Sequence, residues 1–222
     1  MQMPDASALE NAMAGCGRAP ASDASGADKK NYTERLSHAL SAVCCSELVR
    51  VGLAAARGAA RGRDKQFMGG LGPKGVDVFV ADEKHGLLLS SGTKGLMFDV
   101  RKNLLNRFRD MVAEALELHM RFPYAVCGHV LFIDTAARTT PARLHGTVLN
   151  RIVTLLDGIA NRRVPADPPE LYEHIAVLLL DTAANKAEMA PADVPQSMHF
   201  ATYAERMFRS FEQRNPFYEA GS

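Results

Sequence analysis

The chain is expected to adopt an α/β fold, a mixed central sheet with helices on both faces. Three observations predict it. Helical and strand-like patterns alternate along the sequence, two apolar runs (124–133 and 173–180) read as strands buried on both sides, and a strongly amphipathic helix precedes the first of them.

The elements follow in order. Residues 1–28, rich in Ala, Gly, Ser and Asp, show no sustained period and read as a flexible N-terminal arm or weak helix; 29–222 read as a single domain. From Asn31 to about Ala60, Leu36, Leu40, Val43, Leu48, Val51 and Leu53 recur at helical spacing, and Gly58 and Gly62 are expected to end that helix. FMGGLGPKG, which comes next, reads as a glycine-rich loop or short strand. Val76 to Ala81 reads as a strand, DEKHG as a turn, and Leu87 to Ser91 as the returning strand. Arg101 to His119 has one apolar face, made by Leu104, Leu105, Phe108, Met111, Val112, Ala115 and Leu116, and Pro123 stops it. A helix from about Thr147 to Ala160 and a C-terminal helix from about Pro195 to Gln213 complete the order.

Composition narrows the function. Hydrophobic residues make up 47% and charged residues 23%, enough for a sizeable core. The net charge is +1, so any nucleic-acid surface must be a local patch. Tryptophan is absent and aromatics are 7%, which argues against a stacking platform for single strands. Cys16, Cys44, Cys45 and Cys127 form no CxxC pair and read as free thiols of a reducing, cytoplasmic setting. No signal-peptide pattern is present, and no apolar run of about 18 residues exists to span a membrane.

The chemistry concentrates in GVDVFVADEKHGLLLSSGTK, residues 75–94. With residues 82–86 as the turn, Ala81 faces Leu87 and Asp77 faces Ser91, and Ser90, Gly92 and Lys94 share the face near Asp77. A carboxylate beside a lysine at a sheet edge suits a metal-dependent phosphodiesterase: the acid holds a divalent ion, and the lysine orients a water or balances phosphate charge. On the hairpin alone, Asp77 also reads as a strand-edge acid and Lys94 as a solvated cation.

Taken with its context, this segment resembles the PD-(D/E)xK nuclease superfamily, the fold of many type II restriction endonucleases. The order helix, three strands, helix, strand from Asn31 to Ile133 carries the resemblance, together with GVDVF, Gly92-Thr93-Lys94 and KNLLNRFRDMVAEALELHMRFPYAV. The resemblance implies a restriction-endonuclease-like core, hydrolysis of phosphodiester bonds in double-stranded DNA, Mg2+ as cofactor with Mn2+ as a substitute, and a homodimer that cuts both strands. It makes Asp77 and Lys94 the catalytic pair. Gly92 departs from the pattern, because it stands where the superfamily has its second acid. Three explanations are open. The acid comes from the following helix, which offers Asp110, Glu114 and Glu117; or from the first helix, at Glu47; or it has been lost, leaving a nuclease fold that binds DNA or a protein partner without cutting. At about 100° per residue, Asp110 and Glu114 lie roughly 130–170° from the centre of the apolar face, which predicts that both are solvated.

Two basic clusters flank the hairpin: Arg57, Arg61, Arg63 and Lys65 before it, Arg101, Lys102, Arg107 and Arg109 after it. With Lys74 in the glycine-rich loop, they are candidates for contacts to DNA phosphates, and singly each reads as a solvated charge. Gly70 to Gly75 matches GxGxxG but precedes a strand and contains Pro73, so no dinucleotide site is expected. His119 and His129 read as packed histidines, and no HxxxH or CxxC spacing indicates zinc. A small α/β protein unrelated to nucleic acid is the remaining alternative.

Overall fold

The computed structural model describes residues 4–59, 65–143 and 145–218. In chain order the elements are helices α1 (Ala6–Gly15) and α2 (Gly26–Arg50), strands β1 (Arg57–Gly58), β2 (Lys65–Met68), β3 (Pro73–Val76), β4 (Val78–Asp82) and β5 (Gly86–Leu96), and helix α3 (Val100–Arg121). Strand β6 (Val126–Asp134), helix α4 (Val148–Asp157), strands β7 (His174–Asp181) and β8 (Lys186–Glu188), and helix α5 (Tyr203–Arg214) follow. Six strands form one sheet in the order β1-β4-β5-β6-β7-β8, and β2 pairs with β3 in a separate two-stranded sheet. The β5–β6 and β6–β7 pairs are parallel and the β1–β4, β4–β5 and β7–β8 pairs antiparallel, so the main sheet is mixed.

The parallel centre is apolar because both of its faces are covered. On β6, Val126, Val130 and Phe132 join the core that contains α1, α2 and α5, and Cys127, Leu131 and Ile133 join the core beneath α3 and α4. Strand β7 divides in the same way, with Ala176, Leu178 and Leu180 on one face and Ile175, Val177 and Leu179 on the other. This is the α/β arrangement that the alternation of elements predicts.

Element boundaries move where local chemistry differs from simple periodicity. Helix α2 begins earlier than Asn31 because the Ser25 hydroxyl accepts the Asp28 N–H and caps it. It ends at Arg50, well before Gly58, because Gly52 takes a φ of 121° and lets the Leu53 N–H turn back to the Leu48 carbonyl. Residues 195–202 enter short 3₁₀ turns, so α5 starts at Tyr203. Within the segment read as a flexible arm, residues 6–15 form α1. Asp5 caps this helix by accepting the Ser7 N–H, and Leu9 and Met13 are completely buried in the core shared with α2. Lys186 of β8 pairs with Glu10 at 3.0 Å on its outer side.

If α1 is part of the folded core, Leu9→Ala leaves a cavity and lowers stability by about 2–5 kcal/mol. Urea unfolding followed by circular dichroism measures this. An unchanged midpoint would show that α1 contributes no packing.

Candidate functional site

Asp77 lies between β3 and β4, and its position relative to β5 depends on a register shift. Ala81 pairs with Leu87 as expected, but an irregularity between Val80 and Ala81 makes Val78, not Asp77, the partner of Ser91. The expected register is therefore off by one residue at the acid. Asp77 is carried past Ser91, and its Oδ2 accepts the Thr93 N–H at 2.7 Å. The Ser37 hydroxyl of α2 donates to the Thr93 carbonyl, so the same residue of β5 is tied to a helix as well as to Asp77.

Residues 92 and 94 share the face of β5 covered by α3. Lys94 Nζ donates to Glu114 Oε2 at 2.6 Å, and Glu114 Oε1 lies 3.6 Å from Nδ1 of the fully buried His129. A Cβ on residue 92 would stand 2.5 Å from Glu114 Oε1 and 2.8 Å from His129 Nδ1. Gly92 is thus the point of close approach that admits the Glu114 carboxylate to the strand.

The charges at this point support each other. Burial opposes ionisation of Glu114, but the Lys94 ammonium outweighs it and holds the carboxyl down at about 2. Burial likewise opposes the Lys94 charge, yet Glu114, with a smaller contribution from Asp77, holds its pKa above the ordinary lysine value. Both carboxylates therefore act on one ammonium, and Arg107 adds a further positive charge nearby. His129 is pushed below the usual histidine range, chiefly by burial, and neither of its ring nitrogens has a hydrogen-bond partner.

Of the two acids expected to be solvated, Asp110 is exposed and lies 3.5 Å from Arg107, whereas Glu114 is only 5% exposed. The expectation for Glu114 is corrected here. The apolar residues of α3 do not centre on its buried face: Leu105 is 46% exposed, while Glu114 and His119 are buried beside Met111, Ala115 and Leu118. Lys94 and His129 give Glu114 partners under the helix, which a wheel of apolar residues does not register. Glu47 is buried on α2, among the helices of the opposite face, and is engaged by the Arg50 guanidinium at 2.6 and 2.8 Å. Asp77 and Glu47 are both close enough to Cys44 to reinforce the rise of its thiol pKa that burial causes, up to about 12.

The candidate DNA-contacting cations are dispersed. Arg57 is exposed on β1, whose neighbouring residue Ala59 donates its N–H to the Asp77 carbonyl. Lys65 is exposed on β2, and Lys102 is exposed in the first turn of α3. Lys74 on β3 pairs with Glu117 at 3.1 Å, and Arg101 donates to the Pro141 carbonyl. Arg61 and Arg63 lie outside the described residues. Among the described residues, no helix is long and apolar enough to cross a membrane.

The site therefore unites Asp77, Lys94 and Glu114, with His129 behind the carboxylate and Arg107 beside the ammonium. Read as a packed histidine, His129 has no sequence signal that ties it to Glu114; the two meet only through the β6–β5–α3 stacking. Comparison with protein-family models, with curated proteins and with solved structures gives no significant match.

The fit of Glu114 against residue 92 is testable. Gly92→Ala is expected to lower stability by about 1–3 kcal/mol by displacing the carboxylate, and to cost less in a Glu114→Ala background. Chemical denaturation of the four proteins in this cycle gives the coupling. Equal costs in both backgrounds would separate Gly92 from Glu114.

Proposed function

We propose that this protein is a divalent-metal-dependent endonuclease that hydrolyses phosphodiester bonds of double-stranded DNA, of type II restriction kind, on a restriction-endonuclease-like core. The observation that carries this reading is the entry of Glu114 into the space at Gly92, against Lys94. The strand lacks its own second acid, and the helix that follows it brings one to the same lysine.

Asp77 and Glu114 both act on Lys94, and carboxylate oxygens are the donors that Mg2+ and Mn2+ take. Asp77 and Glu114 would hold the ion, which when bound supplies Lewis-acid stabilisation of charge on the phosphate. The remaining work falls to the chain itself. Glu114 holds the Lys94 ammonium in place and keeps it charged, so its N–H groups can stabilise negative charge that develops on a phosphate oxygen or orient the attacking water. The Thr93 N–H fixes Asp77 in the same way from the backbone. Arg57, Lys65, Lys102 and Arg107 would neutralise neighbouring phosphates. A symmetric dimer would present one such site to each strand of a duplex.

A second reading has one specific observation in its favour. Glu114 is nearly buried and already neutralised by Lys94, as expected of a nuclease-like fold that has kept the pair for structure and binds DNA without cutting it.

Incubation with varied plasmid and genomic DNA, with and without Mg2+ or Mn2+, separates the two. The expected result is discrete, metal-dependent fragments, with cleavage reduced on the order of 10²-fold or more in Asp77→Asn, Lys94→Ala and Glu114→Gln. Salt-sensitive binding without cleavage would support the second reading, and neither binding nor cleavage would overturn both.

A further inference from the structure

A second polar cluster lies where the C-terminal part of α3 meets the start of β6 and the residue that precedes β7. His119, Cys127 and Glu173 each direct a ligand atom to it, and these atoms all lie within 4.8 Å of one another. None of the three is more than 2% exposed.

The orientation of the donors is the informative part. His119 Nδ1 lies 2.8 Å from the Pro169 carbonyl, an acceptor only, so Nδ1 carries the proton. The other nitrogen, Nε2, has no hydrogen-bond partner although it is buried. A buried donor or acceptor left unsatisfied costs about 1–3 kcal/mol, and the partner offered to Nε2 here is the charge of Glu173. Nε2 lies 3.3 Å from Glu173 Oε2 without the alignment of a hydrogen bond. Two ligands bound tetrahedrally at about 2.0 Å from one zinc ion stand about 3.3 Å apart.

Glu173 is held as a ligand would be. The guanidinium groups of Arg162 and Arg214 approach its Oε1 at 2.9 and 2.5 Å, and its Oε2 accepts the Cys127 N–H at 2.7 Å. One carboxylate oxygen is anchored from behind, the other faces the histidine, and the histidine is fixed by a backbone carbonyl. Outer partners of this kind orient metal ligands and set their tautomer.

We propose that His119, Cys127 and Glu173 bind one zinc ion, which ties α3 to β6 and β7. The nitrogen, sulfur and oxygen donor set suits zinc and not magnesium, so this site is chemically distinct from the acid–lysine site. The two arginines do not forbid it. Zinc displaces the Cys127 thiol proton, so the cluster gains at most one unit of positive charge beside Arg162 and Arg214. The site also bears on the other end of α3: the helix that carries His119 carries Glu114, so an anchor here helps to set where that carboxylate meets Lys94.

The test uses the full chain. Zinc content is measured after reconstitution and dialysis, and the zinc is then replaced by Co2+ to read the cysteine directly in the absorption spectrum. The expected result is about one zinc per chain and a thiolate-to-cobalt charge-transfer band. Cys127→Ser and His119→Gln, checked for folding by circular dichroism, should lose the ion. A variant with alanine at Cys16, Cys44 and Cys45 leaves the proposed ligands intact and should keep the band, which decides the matter even if Cys127→Ser does not fold. Absence of stoichiometric zinc, absence of the cobalt band, or loss of the band in the triple variant would overturn the proposal.

Discussion

The ion pair between Lys94 and Glu114 is the contact on which the arrangement of this site depends. It joins β5 to α3 at 2.6 Å, with the carboxylate almost fully withdrawn from solvent. Removing a charge from water costs several kcal/mol, and mutual attraction repays it only with close geometry. That geometry is available because residue 92 has no side chain, so the carboxylate settles where a Cβ would otherwise stand. The helix, the strand and the lysine are therefore placed by one another. The same pairing explains why Lys94 stays charged while largely covered: each partner removes the penalty that burial imposes on the other.

Helix α3 is set by polar contacts at more than one level. Apolar packing through Met111, Ala115 and Leu118 supplies most of its attraction to the sheet, but such packing is non-directional. Glu114 to Lys94, the Tyr172 hydroxyl donating to the Met111 carbonyl at 2.8 Å, and His119 against Pro169 and Glu173 fix its rotation and its height. Each of these requires a specific partner, Lys94 on β5 or the segment that leads into β7, so sliding the helix by one residue would strand a buried charge. Register along β5 is held from the opposite face by Ser37 and by Ser91, whose hydroxyl meets Tyr203 at 2.7 Å.

The proposed nuclease reading and the proposed zinc site draw on the same piece of architecture. Both place an acid or a base on α3 opposite groups on β5, on β6 or just before β7, and both bury charge beneath a helix that an apolar pattern alone would have placed with its polar residues outward. The oxygen-rich end near Asp77 and Lys94 is partly open to solvent, as a substrate requires. The nitrogen, sulfur and oxygen cluster is buried and offers three donors.

Much of the architecture was legible in the residues themselves. Helices at 3.6-residue spacing, continuous apolar runs for β6 and β7, and a turn at Asp82–Gly86 are local features, and they dictate an α/β sheet covered on both faces. Asp77 and Lys94 were recognisable as neighbours because a hairpin needs only a turn and an alternation. What the residues did not disclose depends on contacts between distant segments. The irregularity after Val80 shifted Asp77 beside Thr93, since a single extra residue in a strand leaves no trace in periodicity. Glu114 looked solvated because its partners, Lys94 and His129, lie on strands far away in the chain, and hydrophobic periodicity records apolar burial, not buried charge. Histidine spacing gave no hint that His119 lies against Cys127 and Glu173, because the three come from separate parts of the chain. Sequence determines which surfaces must be buried; only the packing of those surfaces decides which charged groups are buried with them, because a charge enters the interior only where the tertiary structure supplies its counter-charge.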